Sequence, residues 1–113
     1  MNLGFPNEAE FKNWVINQAK VYGWLVHHDL PAQASNGRWA THVQGHAGFP
    51  DLVLLHPSRG ELLFVELKSE RGKISTVQDT WLMALNLAGV ENHVWRPQDV
   101  KAIARRLAPA HYN

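Results

Sequence analysis

The chain has 113 residues, of which 45% are hydrophobic and 19% are charged; this predicts a single globular domain over residues 1–113 and excludes a largely disordered chain. The formal net charge of +1 excludes a uniformly basic nucleic-acid-binding surface, so attraction for phosphate must come from local clusters. The absence of cysteine excludes a disulfide framework and a thiolate zinc site. Since no apolar run approaches the roughly 20 residues of a membrane span, we expect a soluble, cytoplasmic protein without a membrane partner.

The first predicted element is a helix that begins at residues 6–7 and ends near residue 22. Asn7 is a suitable N-cap residue, and Glu10 has the spacing of its capping-box partner. The apolar residues of this segment fall on one helical face: Phe11, Trp14, Val15, Ala19 and Tyr22. Gly23 ends the helix, and the aromatic and branched residues of 24–28 predict a first strand.

Residues 29–49 lack clear periodicity, which in small domains is typical of functional or mobile segments. Within them, residues 38–43 are expected to pair as a strand. Two further strands are predicted over residues 51–56 and 61–68, joined by a hairpin-type turn. Both are near-continuous apolar runs, which predicts that these strands are covered on both faces.

A second helix is predicted after Lys73, because Ser75 and Gln78 have the spacing of an N-terminal capping box and Gly89 is a natural stop. Residues 92–95 then predict a fourth strand, and Pro97 opens a last helix that extends to about residue 107. The element order is α-β-β-β-α-β-α, which predicts an α/β sandwich.

Three charged residues lie at the ends of the two apolar strands. Asp51 precedes the first strand, and Glu66 and Lys68 close the second. Because side chains alternate along a strand, Glu66 and Lys68 point to the same face. Two carboxylates brought together form a hard-oxygen site for Mg²⁺ or Mn²⁺, and a lysine beside them adds positive charge, as phosphodiester hydrolysis requires. The alternative for so short a motif is a solvated or ion-paired sheet surface.

The order of these residues resembles the VRR-NUC family of PD-(D/E)XK nucleases, in the stand-alone form found in phages and bacteria. The resemblance extends over roughly residues 7–107 and rests on an ordered set of positions: Gly48-Phe49-Pro50-Asp51-Leu52, Glu66-Leu67-Lys68, Gly72, Ser75, Gln78, Trp81, Gly89 and Trp95-Arg96-Pro97. It implies the restriction-endonuclease-like core of that superfamily, a central mixed β-sheet flanked by helices. It also implies a nuclease that works in the cytoplasm of a bacterium or of a phage-infected cell.

The resemblance implies a role for each motif residue. Asp51 and Glu66 would bind the metal directly, with the carbonyl oxygen of Leu67 as a further ligand. Lys68 would orient the attacking water or help to deprotonate it, and would counter the developing negative charge. The reaction would be in-line attack of a metal-activated water on phosphorus, leaving a 5′-phosphate and a 3′-hydroxyl.

The family fold also places an acid of the first helix near the metal, and Glu8 and Glu10 are both candidates. Glu8 is preferred because it shares a helical face with Phe11 and Val15, whereas Glu10 already has a capping function. In the family, the position of Gln78 points toward the active site, and this is compatible with its capping function.

Contacts to nucleic acid are expected from basic and polar residues near these motifs: Arg71, Lys73, Arg38, Thr41 and His28. A second basic cluster consists of Lys101, Arg105 and Arg106, for which a solvated helix surface is the alternative.

The leading hypothesis is a Mg²⁺- or Mn²⁺-dependent endonuclease that acts on branched or structured DNA in repair or recombination, as Holliday-junction resolvases do. A homodimer is expected, because symmetrical cutting of a junction calls for two sites related by a two-fold axis. Four tryptophans offer aromatic surface for it, with core packing as the alternative: Trp14, Trp39, Trp81 and Trp95. Two other functions remain open, a nucleic-acid-binding module that needs a partner for activity and an assembly subunit without catalysis.

Overall fold

A four-stranded β-sheet lies at the centre of the computed structural model, which describes residues 4–5, 7–29, 32–33, 39–40 and 45–110. The elements in chain order are α1 (Glu8–Val21), β1 (Leu25–His28), β2 (Ala32–Gln33), β3 (Trp39–Ala40), β4 (Leu52–His56), β5 (Glu61–Leu67), α2 (Thr76–Leu87), β6 (Asn92–Trp95), a 3₁₀ turn (Pro97–Asp99) and α3 (Val100–Leu107). The sheet order is β1-β4-β5-β6, with β6 parallel to β5 and the other pairs antiparallel. The predicted α/β fold, with a mixed sheet flanked by helices, is confirmed.

The irregular region contributes a small ladder of its own. β2 and β3 pair antiparallel in a two-stranded sheet, separate from the central one. The strand predicted over residues 38–43 thus coincides with β3 at two residues, and its remaining residues lie outside the described part of the chain. None of the helices in the described ranges has the length and apolar character needed to cross a bilayer.

Side-chain caps account for the starts of the first two helices. The Asn7 side chain accepts a hydrogen bond of 2.9 Å from the backbone N–H of Glu10. At α2 the capping box is complete, because the Gln78 N–H donates to Ser75 Oγ at 3.2 Å and the Ser75 N–H donates to Gln78 Oε1 at 2.9 Å. These bonds satisfy N–H groups that have no partner inside the helix.

The last helix begins later than predicted. Pro97 opens a 3₁₀ turn, and the α-helix itself starts at Val100. The Asp99 N–H donates to the Arg96 carbonyl at 2.8 Å, and the Arg96 N–H donates to Asp99 Oδ2 at 2.9 Å. These reciprocal bonds close a tight turn of three residues before the wider α-helical winding can begin.

The main core lies between one face of the sheet and the helices α1 and α3. Leu52 and Leu54 of β4, with Leu63 and Val65 of β5, have no exposed surface. Helix residues that pack in the same cluster include Phe11, Val15, Ile16, Ala19, Ile103 and Leu107. Burial of these side chains is the largest favourable contribution to folding.

The opposite face of the sheet corrects the expectation that β4 and β5 are covered on both faces. Leu25, Leu55 and Leu62 lie side by side across three strands, and they are 60%, 41% and 40% exposed. Helix α2 packs on the sheet mainly at β6 and leaves this row uncovered by the described residues. The strands are apolar on both faces, and the apolar pattern alone did not reveal which face the helices cover.

Two arginines tie α3 to the sheet. Arg106 donates to the two carboxylate oxygens of Glu91 at 2.7 and 2.9 Å and to Glu61 at 3.1 Å. Its hydrogen bonds lower the pKa of Glu91 to about 2. Arg59 also binds Glu61, and both guanidinium groups lie over the ring of Trp24. Arg106, a member of the second predicted basic cluster, is therefore engaged in holding the fold together.

Candidate active site

The β4–β5 hairpin brings the two predicted acids together. Its register pairs Leu52 with Val65, and one step further along the ladder Asp51 comes opposite Glu66. Because facing residues of an antiparallel pair share a side of the sheet, both carboxylates lie on the side away from the main core. The Leu67 N–H donates to Asp51 Oδ2 at 2.8 Å, which fixes the aspartate at the end of the strand.

Glu66 is 2% exposed, although it is an acid. Its Oε2 accepts a hydrogen bond of 2.7 Å from Gln78 Nε2 and lies 3.7 Å from Lys68 Nζ. Its Oε1 is buried and has no hydrogen-bond partner among the described residues. Burial, reinforced by the charge of Asp51 and only partly offset by Lys68, raises the pKa of Glu66 to about 7.

An open cavity of about 360 Å³ lies over these groups. All the residues predicted to act in catalysis or to bind the metal line it: Glu8, Asp51, Glu66, Leu67, Lys68 and Gln78. Helix α1 contributes Glu8 and α2 contributes Gln78. Asp51 lies immediately before β4, and β5 with the residue after it contributes Glu66, Leu67 and Lys68. Glu10 is exposed and is not among the lining residues.

The predicted nucleic-acid contacts are dispersed. Arg71 and Lys73 are exposed on the loop between β5 and α2 and do not line the cavity. His28 ends β1 and lines a neighbouring groove along α1. Arg38 and Thr41 lie outside the described residues.

Lys12 also lines the cavity, although it is not among the residues predicted from the sequence. It follows Glu8 by one helical turn, so the two residues share a side of α1. That spacing was the available signal, and it becomes informative only once Glu8 is placed at the site.

Arg96 shapes the loop that follows Lys68. Its guanidinium donates to the carbonyl oxygens of Ser69 at 2.8 Å and Gly72 at 2.7 Å. In the sequence Arg96 stands out only as part of the family likeness, because no local pattern shows that a residue after β6 contacts the loop after β5.

The segment before Asp51 packs closely against α2. Gly48 has a φ of 94°, and a Cβ atom placed on it would lie 2.5 Å from the carbonyl carbon and oxygen of Val77. Phe49 meets the ring of Trp81 edge-on at 5.0 Å, and Trp81 Nε1 donates to the Ala47 carbonyl at 3.0 Å. These contacts join the strand that carries Asp51 to the helix that carries Gln78.

The donor set fits a hard divalent cation. Asp51 and Glu66 offer carboxylate oxygens, and the unpartnered Glu66 Oε1 lacks the hydrogen bond that a buried carboxylate needs in the absence of a cation. Among the described residues no group of three or more His, Cys, Asp or Glu side chains is arranged to hold a metal. Backbone carbonyl, water or substrate oxygens must therefore supply the remaining ligands.

Comparison with known proteins identifies the family. The family model described as the VRR-NUC domain matches residues 16–99, which is more than half of the chain. The chain belongs to the VRR-NUC family. The VRR-NUC match includes Asp51, Glu66, Lys68 and Gln78, and it begins after Glu8.

One solved structure, titled as a VRR_NUC domain, is 23% identical to this chain, covers 85% of this chain and 91% of its own, and superimposes with a TM-score of 0.63. At that identity the likeness shows the fold. No curated protein matches the sequence. VRR-NUC membership places the chain among nuclease domains, and nucleases of this fold generally use divalent metals.

Proposed function

We propose that this protein is a divalent-metal-dependent endonuclease that hydrolyses phosphodiester bonds in DNA. The observation that carries the proposal is the grouping of Asp51, Glu66 and Lys68 at one open cavity, with a buried oxygen of Glu66 that has no partner among the described residues. Burying an unpaired charge is costly, so such an arrangement is retained where function needs it. Membership of a nuclease family makes DNA the expected substrate.

The metal is Mg²⁺ or Mn²⁺ in this proposal. Asp51 and Glu66 would hold it together with the carbonyl oxygen of Leu67, because hard cations prefer oxygen ligands. Glu8, which lines the same cavity from α1, would act on the ion through a bound water molecule. The bound ion would supply a Lewis acid for the phosphate and would lower the pKa of a water molecule.

The other side chains orient the reaction. Lys68 is only 18% exposed and lies 3.7 Å from Glu66, so its charge is held at the cavity. There it would orient the attacking water and offset the negative charge that develops on the phosphate. Gln78 holds Glu66 through one oxygen and leaves the other available. In-line attack of water on phosphorus would then leave a 5′-phosphate and a 3′-hydroxyl.

We further propose branched or structured DNA as the substrate and a homodimer as the active assembly. The exposed row of Leu25, Leu55 and Leu62 supports a protein contact on that face of the sheet. Trp95 gives no such support, because it is 5% exposed and packs in the core. Sedimentation velocity at micromolar concentration is expected to show a dimer, and a monomer throughout that range would contradict the assembly.

Cleavage assays test the proposed activity directly. Labelled four-way junction, flap, duplex and single-stranded DNA are incubated with Mg²⁺, Mn²⁺ or EDTA. We expect metal-dependent cutting that falls by at least about 100-fold in Asp51→Asn and in Lys68→Ala, because the loss of even an outer-shell partner of a metal site costs about 10- to 100-fold. Asp79→Asn, an exposed acid in the first turn of α2, is the matched control and should cut normally.

Two outcomes separate the hypotheses. Normal cutting by Asp51→Asn or Lys68→Ala would overturn the assigned site. No cutting of any substrate by the wild type, with metal-independent binding of DNA, would favour the binding module that needs a partner. In the same assay Glu8→Gln should slow cleavage while Glu10→Gln should not, since only Glu8 lines the cavity.

A further inference from the structure

A second groove runs along α1 beside the candidate active site. Its volume is about 520 Å³, and its polar lining consists of Lys12, Asn13, Asn17, Lys20 and His28, with no acid among its lining residues. Lys12 also lines the active-site cavity, so the two depressions adjoin at this residue. In a chain with a net charge of only +1, this local excess of positive charge is a distinct feature.

The polar residues of the groove follow the helix repeat. Asn13 and Asn17 are one turn apart, and Lys12 and Lys20 are two turns apart, so each pair lies along one side of α1. At 1.5 Å per residue, Lys12 and Lys20 are separated by about 12 Å along the helix axis. A DNA strand advances by about 3.4 Å per nucleotide, so this distance corresponds to about three to four nucleotides.

The charges of the groove have no counter-ion within the described part of the chain. Neither Lys12 nor Lys20 forms an ion pair there, whereas Arg59 and Arg106 are both paired with Glu61. The Nδ1 atom of His28 is buried and has no hydrogen-bond partner among the described residues.

The two lysines act together on His28. Burial, followed by the charges of Lys12, His27 and Lys20, lowers the pKa of this imidazole, and only Asp29 opposes them. A lowered pKa favours the neutral imidazole, so the positive potential of the groove, which an anion would neutralise, comes from Lys12 and Lys20.

We propose that the groove formed by Lys12, Asn13, Asn17, Lys20 and His28 binds the phosphate backbone of the DNA strand that enters the candidate active site. This inference rests on the proposed nuclease function and assigns the path of its substrate. Lysine ammonium groups and asparagine amides are typical ligands of phosphate and sugar oxygens, and such contacts position a strand without reading its sequence. Lys12, where the groove meets the cavity, contacts the phosphate nearest to the one that is cut.

The salt dependence of DNA binding tests the groove. Binding of labelled duplex DNA is measured in EDTA between about 50 and about 200 mM salt for wild type and for Lys12→Gln/Lys20→Gln. The loss of two phosphate contacts is expected to reduce the slope of log K against log salt by about 1.8, because each contact to duplex DNA contributes about 0.9. The matched control, Lys101→Gln/Arg105→Gln, removes the same charge from exposed positions of α3 and should keep the wild-type slope.

Crosslinking locates the bound DNA strand with single-cysteine variants. Its result therefore does not depend on whether the double lysine variant is stable. The chain has no cysteine, so Asn17→Cys and Lys101→Cys each carry a single thiol. We expect disulfide capture of thiol-tethered DNA at position 17 and not at position 101.

The outcomes distinguish the groove from the nuclease. One outcome is that the wild type cuts DNA, but the double variant binds DNA like its control and position 17 is not captured. The proposal that the groove binds DNA would then be overturned, and the nuclease proposal would stand. If no DNA is cut but DNA binding depends on Lys12 and Lys20, the proposal that the groove binds DNA stands and the nuclease proposal is overturned.

Discussion

Glu66→Gln is expected to abolish DNA cleavage and, in the absence of metal, to make the folded protein more stable above pH 7. The wild-type carboxyl is 2% exposed, and burial together with Asp51 raises its pKa from 4.5 to about 7. A group whose pKa rises on folding contributes its full stability below the unfolded-state pKa and loses it as the pH rises through the folded-state pKa. The metal-free wild type should therefore lose stability between about pH 4.5 and about pH 7, and the loss should level off above that range.

The amide removes that loss, because it has no charge to bury and its oxygen can still accept the hydrogen bond from Gln78. Urea unfolding in EDTA should show similar free energies for wild type and Glu66→Gln at pH 5. At pH 8 the variant should be more stable by on the order of 3 kcal/mol. Glu10→Gln, at an exposed position of α1, serves as the control and should follow the wild type.

Added Mg²⁺ should stabilise the wild type at pH 8 and should have little effect on Glu66→Gln, since the variant lacks one of the two carboxylates. A variant that is less stable than the wild type at pH 8, or that still cuts DNA, would show that Glu66 is a structural group and that the buried oxygen has another explanation.

Gly48→Ala should destabilise the protein and reduce cleavage together. The residue has a φ of 94°, and its added Cβ would lie 2.5 Å from the carbonyl of Val77 and 2.8 Å from the nitrogen of Gln78. These neighbours are backbone atoms of the first turn of α2, so the helix or the loop before Asp51 must move. Left-handed backbone costs a residue with a side chain about 1–2 kcal/mol and overpacking about 1–3 kcal/mol, so we expect a total loss of about 2–5 kcal/mol.

The movement should also shift Asp51 relative to Gln78, because the close contact of Gly48 with the first turn of α2 holds these two residues in place. Since a displacement of about 1 Å can cost about 100-fold in rate, cleavage should fall well below that of a folded control even at low temperature. Gly89→Ala is that control, because Gly89 also has a positive φ, of 73°, but nothing lies within 4 Å of its Cβ position. Equal effects of the two substitutions on stability and rate would show that the contact with α2 has no special importance.

The parts of the fold that sequence could predict are those set by local patterns. The Asn7 cap, the Ser75–Gln78 box and the glycine stops fix helix ends within a few residues of themselves, and the hairpin that carries Asp51 and Glu66 is contiguous in the chain. The acids could therefore be grouped from sequence alone. Which face of β4 and β5 is covered could not be predicted, because both faces of these strands are apolar.

The missing features all depend on contacts between distant segments. Lys12 joins the site only because α1 lies beside the end of β5, and the requirement for glycine at position 48 arises from the backbone of α2. The groove along α1 requires that β1 place His28 beside two lysines of the helix. The spacing of residues within one segment does not show which distant segment that segment packs against.

The buried carboxyl of Glu66 also turns cation binding into an exchange reaction. With a pKa of about 7, the group carries a proton in roughly half of the metal-free molecules at neutral pH. A cation that binds its free oxygen must displace that proton, so in acid the apparent affinity for the cation falls by up to about tenfold for each pH unit. Acidic conditions would thus inactivate the protein by competition between a proton and the metal for one oxygen atom, while its groove for DNA stays positively charged.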